Sequence, residues 1–172
     1  MELDPLHYSL SGLQMLKLNP DAKLIKYTDL YKYNNIDDLF KNTNKLIILY
    51  LLKNDHYGHW TCLMKKKGYY EYFDPFGVNI DEEFSWISNR KRKELNEQHN
   101  YLFDLLKKGN KKIIYNNIDF QGEKTMTCGM HTSFRLINYN LTLRQYIEKL
   151  FLDKNINNPD LYVSNIILNK LF

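Results

Sequence analysis

Apolar residues recur at helical spacing in the opening stretch. Leu6, Leu10, Leu13 and Leu16 or Met15 predict a helix over Asp4 to Leu18, weak at Gly12 and closed by Asn19-Pro20-Asp21. Lys23 to Tyr27 predicts a short strand, Thr28-Asp29 the start of a helical turn, and Ile36 to Phe40 a second short helix. The dense apolar run Lys45 to Lys53 predicts a central strand. His59 to Lys65 and Tyr69 to Phe73, joined by Lys66-Lys67-Gly68, predict a hairpin that leaves through the turn Asp74-Pro75-Phe76-Gly77. Asp81 to Lys108 is polar and reads as two helices, with Tyr101, Leu102, Leu105 and Leu106 as the buried stripe. Lys111 to Tyr115 predicts a strand. From Met130, the spacing of Phe134, Ile137 and Leu141 predicts an amphipathic helix. Thr142 caps a further helix through Leu152, and Asn158-Pro159-Asp160 opens the last one with proline at its first position. There is no repeat or linker. The pattern predicts one α+β domain over residues 1–172, a mixed sheet of about five strands flanked by helices.

Composition narrows the setting. A hydrophobic content of 44% supports a real core, and a formal charge of +4 is too weak to argue for nucleic acid by itself. Cys62 and Cys128 are the only cysteines, so there is no disulfide framework and a reducing compartment is expected. Met1 to Pro5 carries no secretory pattern, and no apolar run reaches membrane-spanning length. A monomer with no membrane partner, no metal and no cofactor is expected.

The chemistry gathers around Gln121 to Leu136. Cys128 stands where a polar loop enters a helix, where unpaired N–H groups and the helix dipole favour a thiolate. Thr127 is a candidate cap, and Gly129 lets another backbone or a substrate approach. Taken alone, Cys128 reads equally as a small buried residue. The other parts are present, however. His59 starts one strand of the predicted hairpin and Asp74 ends the other, so antiparallel pairing can bring a carboxylate to the imidazole. Gln121, seven positions before Cys128, can donate to an oxyanion together with the Cys128 N–H. A zinc reading through His56, His59, Cys62, Cys128 and His131 is weaker, because His59 and Cys62 fall on opposite faces of a strand.

Gly58-His59-Trp60-Thr61-Cys62-Leu63, Tyr72-Phe73-Asp74-Pro75-Phe76-Gly77, Gln121 and Thr127-Cys128-Gly129, in that order, resemble the adenovirus-protease and ubiquitin-like-protein-protease clan of cysteine peptidases. Within it the chain is most similar to maturation proteases of virophages, polinton-type elements and large DNA viruses. The resemblance implies an adenovirus-protease-like (circularly permuted papain-like) fold and cleavage of viral capsid precursor proteins after Gly-containing sites. It implies Cys128 as nucleophile, His59 as general base and acid, Asp74 as its orienter and Gln121 as oxyanion donor. Trp60 would line a narrow slot over the substrate backbone, beside Gly129. It places the protein in the virion and host cytoplasm. Cys62, inside a strand, does not suit the disulfide-tethered activating peptide of the adenovirus enzyme. DNA stimulation through Lys65-Lys66-Lys67, Arg90 to Lys93 or Lys111-Lys112 stays open, with a solvated surface as the plainer reading. Rival readings are an isopeptidase that removes ubiquitin-like modifiers, an acetyltransferase, and a non-catalytic module of the same fold.

Overall fold

The computed structural model describes residues 4–54 and 57–172. Five strands form one mixed sheet in sequence order: β1 (Lys23–Lys26), β2 (Lys45–Leu51), β3 (Gly58–Lys66), β4 (Tyr69–Phe73) and β5 (Lys112–Tyr115). β2, β3 and β4 pair antiparallel, while the outer strands β1 and β5 run parallel to their neighbours.

Side chains alternate across the sheet and feed two cores. Ile47, Cys62, Met64 and Phe73 face one side, against α1 (Gly12–Leu18), α5 (Cys128–Ile137), α6 (Leu143–Phe151) and α7 (Pro159–Leu171). Leu46, Ile48, Tyr50, Leu63, Tyr70 and Tyr72 face the other, against α2 (Ile36–Leu39), α4 (Tyr101–Lys108) and the 3₁₀ turns Tyr27–Lys32 and Glu82–Trp86. The polar stretch after β4 thus becomes a 3₁₀ turn and two helices, α3 (Asn89–Glu94) and α4.

The predicted helix over Asp4 to Leu18 is only half formed. A capping box starts α1 at Gly12: Ser11 Oγ accepts from the Gln14 N–H, and the Gln14 side chain accepts from the Ser11 N–H. Leu13 is left exposed, while Leu10 drops into the core from extended chain. Residues 6–10 are then free to lie along the loop before α5, where the Leu6 carbonyl accepts the Met126 N–H.

A buried ion pair that the sequence did not announce locks α5 to the sheet. Arg135 donates through Nε (2.7 Å) and Nη2 (3.0 Å) to the two oxygens of Glu71 on β4. Its remaining donors reach the carbonyls of Asn138 and Leu141. Both side chains are completely buried and fully engaged, which is what makes such a pair tolerable.

Candidate active site

The hairpin register decides where His59 lies. Cys62 pairs with Phe73, so the first residues of β3 sit opposite the turn that follows β4. His59 Nε2 lies 2.9 Å from Asp74 Oδ2, and both side chains are buried. Asp74 is itself held: its Oδ1 accepts from the Phe76 N–H (2.6 Å), and its own N–H donates to Asn116 (2.9 Å). The imidazole stacks on Phe76 and meets the edge of Trp86, each with centroids 5.2 Å away. Burial is the largest influence on His59 and favours the neutral ring. The charge and hydrogen bond of Asp74, with the adjoining Cys128, overcome it and hold the pKa well above the usual histidine value.

The same turn seats the glutamine loop. The Pro75 carbonyl accepts from the N–H groups of both Phe120 and Gln121. Gly77 has φ +69°, and a Cβ there would stand 2.8 Å from the Ile118 backbone, so only glycine lets the two segments meet. Gln121 is buried, and its Nε2 donates one hydrogen to the Thr125 carbonyl at 2.9 Å. The amide's second hydrogen remains for another acceptor.

Cys128 is the first residue of α5 and half-buried. It lines one cavity of about 180 Å³ together with His59, Gln121, Phe76, Trp86 and Met126. A second, apolar cavity of about 480 Å³ also ends at Cys128; Trp60, Leu16, Leu24 and Leu49 line it. Four of the sequence-predicted residues therefore converge: Cys128, His59 and Gln121 on the cavity, and Asp74 behind the histidine. Gly129 is buried, and a Cβ on it would meet Leu10, Trp60 and Met15 at 3.1–3.4 Å. The close approach it permits is that of the N-terminal segment and Trp60.

Thr127 does not cap α5 with its side chain. Its hydroxyl donates instead to Asp160 Oδ1 (2.6 Å), which His131 Nε2 also contacts (2.9 Å). Asp160 Oδ2 accepts from the Gly122 N–H and the Thr125 hydroxyl, both at 2.9 Å. One carboxylate in the first turn of α7 thus ties down the whole loop between Gln121 and Cys128. Burial works against its charge, but the bonds from His131, Thr127 and Gly122 outweigh it and hold the pKa at about 2. Asp160 carried no sequence signal beyond its place after Pro159. Trp86 carried none.

The zinc reading fails on geometry. His56 lies outside the described residues. Cys62 is fully buried in the sheet, with its thiol pushed up by desolvation, His59 is on Asp74, and His131 is on Asp160. Among the described residues, the ligand-type side chains that converge are His59, Asp74 and Glu83. The candidate phosphate contacts are largely engaged. Lys65 and Lys111 reach Asp37, and Arg90 and Lys91 reach Glu94. Lys66 turns inward onto the Tyr139 carbonyl and ring, where burial lowers it to about 8. No described helix is long and apolar enough to cross a membrane.

No family model matches the chain. The uncharacterized protein V9 of Sputnik virophage is 31% identical over 142 residues, spanning 80% of this chain and 81% of V9. Among solved structures, ChlaDub1 from Chlamydia trachomatis superposes with a TM-score of 0.50 at 10% identity, covering 98% of this chain and 93% of that one. The ASFV pS273R protease gives a TM-score of 0.45 at 15% identity over 88% of this chain, which spans 62% of that one. The SUMO protease Ulp1 gives a TM-score of 0.41 at 15% identity, covering 93% of this chain and 75% of that one. The chain belongs to the family of virophage protein V9, and its fold is similar to that of ChlaDub1.

Proposed function

We propose that the protein is a cysteine endopeptidase that cleaves viral capsid precursor proteins after Gly-containing, Gly-Gly-like sites during virion maturation. One observation carries the reading. A cysteine at a helix N-terminus lines the same small cavity as a histidine backed by a buried carboxylate and a glutamine amide.

In the mechanism this supports, the Cys128 thiolate attacks the scissile carbonyl carbon. The oxygen takes up the negative charge between the Cys128 N–H and the free hydrogen of Gln121 Nε2. His59, whose Nε2 is occupied by Asp74, uses its other nitrogen to protonate the departing amine, which breaks the C–N bond. Water then attacks the thioester carbonyl, His59 takes its proton, and the C–S bond breaks to regenerate the thiolate. Trp60, which lines the apolar cavity together with Cys128, limits the bulk of the substrate beside the sulfur, in keeping with glycine at the cleavage site. Asp74 is an orienter and charge partner, in keeping with its complete burial.

The test is a fluorogenic peptide ending in Gly-Gly, with wild type beside Cys128→Ala, each with and without DNA. Cysteine-dependent release is expected from the peptide. Release only with DNA would add a nucleic-acid switch. Silence on peptides with cleavage of ubiquitin-like fusions would make the protein a deconjugating isopeptidase. Activity that survives in Cys128→Ala would overturn the proposal.

A further inference from the structure

Behind the His59–Asp74 pair lies a second buried carboxyl group. Glu83, in the 3₁₀ turn Glu82–Trp86, is completely buried. Its Oε1 accepts a hydrogen bond from the Tyr72 hydroxyl, and its Oε2 is buried with no donor among the described residues. His59, Asp74 and Glu83 present their polar atoms within 4.8 Å of one another. Three further groups face Glu83 electrostatically: Tyr50 on β2, Tyr72 on β4, and Tyr27 in the turn after β1. All are neutral hydroxyls, and His59 on β3 supplies the positive charge in this surrounding.

The charge balance of this pocket is decisive. With Cys128 as thiolate, His59 as imidazolium and Asp74 as carboxylate, the site already carries one net negative charge. A second ionised carboxylate, next to the first and served by a single donor, would be desolvated and repelled. A proton on Glu83 removes the repulsion, gives its orphan oxygen a partner, and supplies Asp74 with an O–H donor.

We propose that Glu83 is a positioning residue that stays protonated through the catalytic cycle and donates a hydrogen bond to Asp74, completing a chain Glu83–Asp74–His59–Cys128. This rests on the catalytic reading above. Burial, followed by the charge of Asp74, pushes the Glu83 pKa well above the usual carboxylate range, in accord with the geometry. By sharing the Asp74 charge, the donor fixes that carboxylate and moderates its hold on the imidazolium. His59 can then release its proton to the leaving amine.

The test reads Cys128 alkylation by iodoacetamide against pH and needs no substrate; Cys128→Ala supplies the blank. Rate constants stay high while the thiolate–imidazolium pair persists and change where His59 loses its proton. Glu83→Gln retains a permanent N–H donor and adds no charge, so its alkaline limb is expected to superpose on wild type. Glu83→Ala removes the donor and concentrates the Asp74 charge on His59. Its limb is expected to move up by about one pH unit, the weight of one charge-assisted hydrogen bond. Peptide turnover should fall about 10–100-fold in Glu83→Ala, the scale of outer partners of functional histidines, and be rescued in Glu83→Gln. A limb that moves down in Glu83→Gln would mean that Glu83 is ionised, and one unmoved in Glu83→Ala would leave it only a structural role. Either overturns the proposal. An ordinary thiol titration in wild type would instead defeat the catalytic reading itself.

Discussion

Asp160 offers the sharpest test of how the loop before Cys128 is held. Its two oxygens divide four donors: Thr127 and His131 on Oδ1, Gly122 and Thr125 on Oδ2. Asp160→Asn keeps the shape but turns one oxygen into an NH2. Whichever side keeps the oxygen, two former donors then face another donor. On the Thr127–His131 side both groups are buried, and a donor left there without an acceptor costs about 1–3 kcal/mol. On the Gly122–Thr125 side the groups are more exposed and the Thr125 hydroxyl can turn to the Gly122 carbonyl, so the cost is smaller. Part of this will appear as loosening of residues 122–127 rather than global unfolding, because the loop's other end is held at Pro75 and its middle at Leu6. A shift of about 1 Å at Gln121 or Cys128 lowers turnover about 10²-fold. Stability is to be read by denaturant unfolding, and kcat and KM with the Gly-Gly peptide under conditions where the variant is folded. The pH dependence gives a second reading. The carboxyl is at about 2 when folded and 3.8 otherwise. Its contribution is therefore complete above pH 3.8 and lost as pH falls through 2. Asp160→Asn should lack that part of the acid transition. Wild-type kcat and an unchanged acid transition in Asp160→Asn would refute the clamp.

Other perturbations separate the remaining roles. Asp74→Asn should reduce kcat severely, up to about 10⁴-fold, with KM little changed, because the amide can hold the imidazole in the wrong tautomer; a change confined to KM would contradict the orienting role. Gln121→Ala should lower kcat by about 10²–10³-fold, and an effect on KM alone would count against an oxyanion donor. Arg135→Met leaves Glu71 charged and unpaired in the core and should destabilise by about 3–5 kcal/mol in denaturant titrations, with Arg135→Met/Glu71→Leu regaining much of it. An unchanged midpoint in the single variant would show that the pair contributes little.

What a single sequence could yield here depended on whether a relation was local. His59 and Asp74 were legible because one hairpin joins them and strand pairing fixes their meeting point. The strand runs were legible because alternation feeds two cores, so β2 is apolar on both faces. The helix starts at Thr142 and Asn158 were legible because a cap acts within three residues. The start at Ser11 is equally local, but the leucine spacing upstream of it masked the capping box. Thr127 misled for a related reason. A threonine before a helix reads as a cap, yet a stronger acceptor, Asp160, arrives from α7 and takes the hydroxyl. Glu71 with Arg135, and Asp160 with His131, meet only after the helices pack, and nothing in their neighbourhoods along the chain marks the partner.

Glu83 shows why polarity along the chain is a poor guide to exposure in such a site. Asp81-Glu82-Glu83 reads as a solvated helix start, yet only Glu82 is exposed. The turn rolls Asp81 onto the Tyr50 hydroxyl and Glu83 onto that of Tyr72, so two acids enter a core of aliphatic side chains and aromatic rings. Tyrosines make this tolerable, since each brings apolar surface to the packing and one donor for a carboxyl group. They also explain why the acids differ in consequence. Asp81 receives the Tyr50 hydroxyl and the Phe103 N–H, both of its oxygens being served. Glu83 has one donor for two oxygens and lies against Asp74. A shortage of donors at that point calls for a proton, and the proton falls on the carboxyl group beside the histidine that faces Cys128.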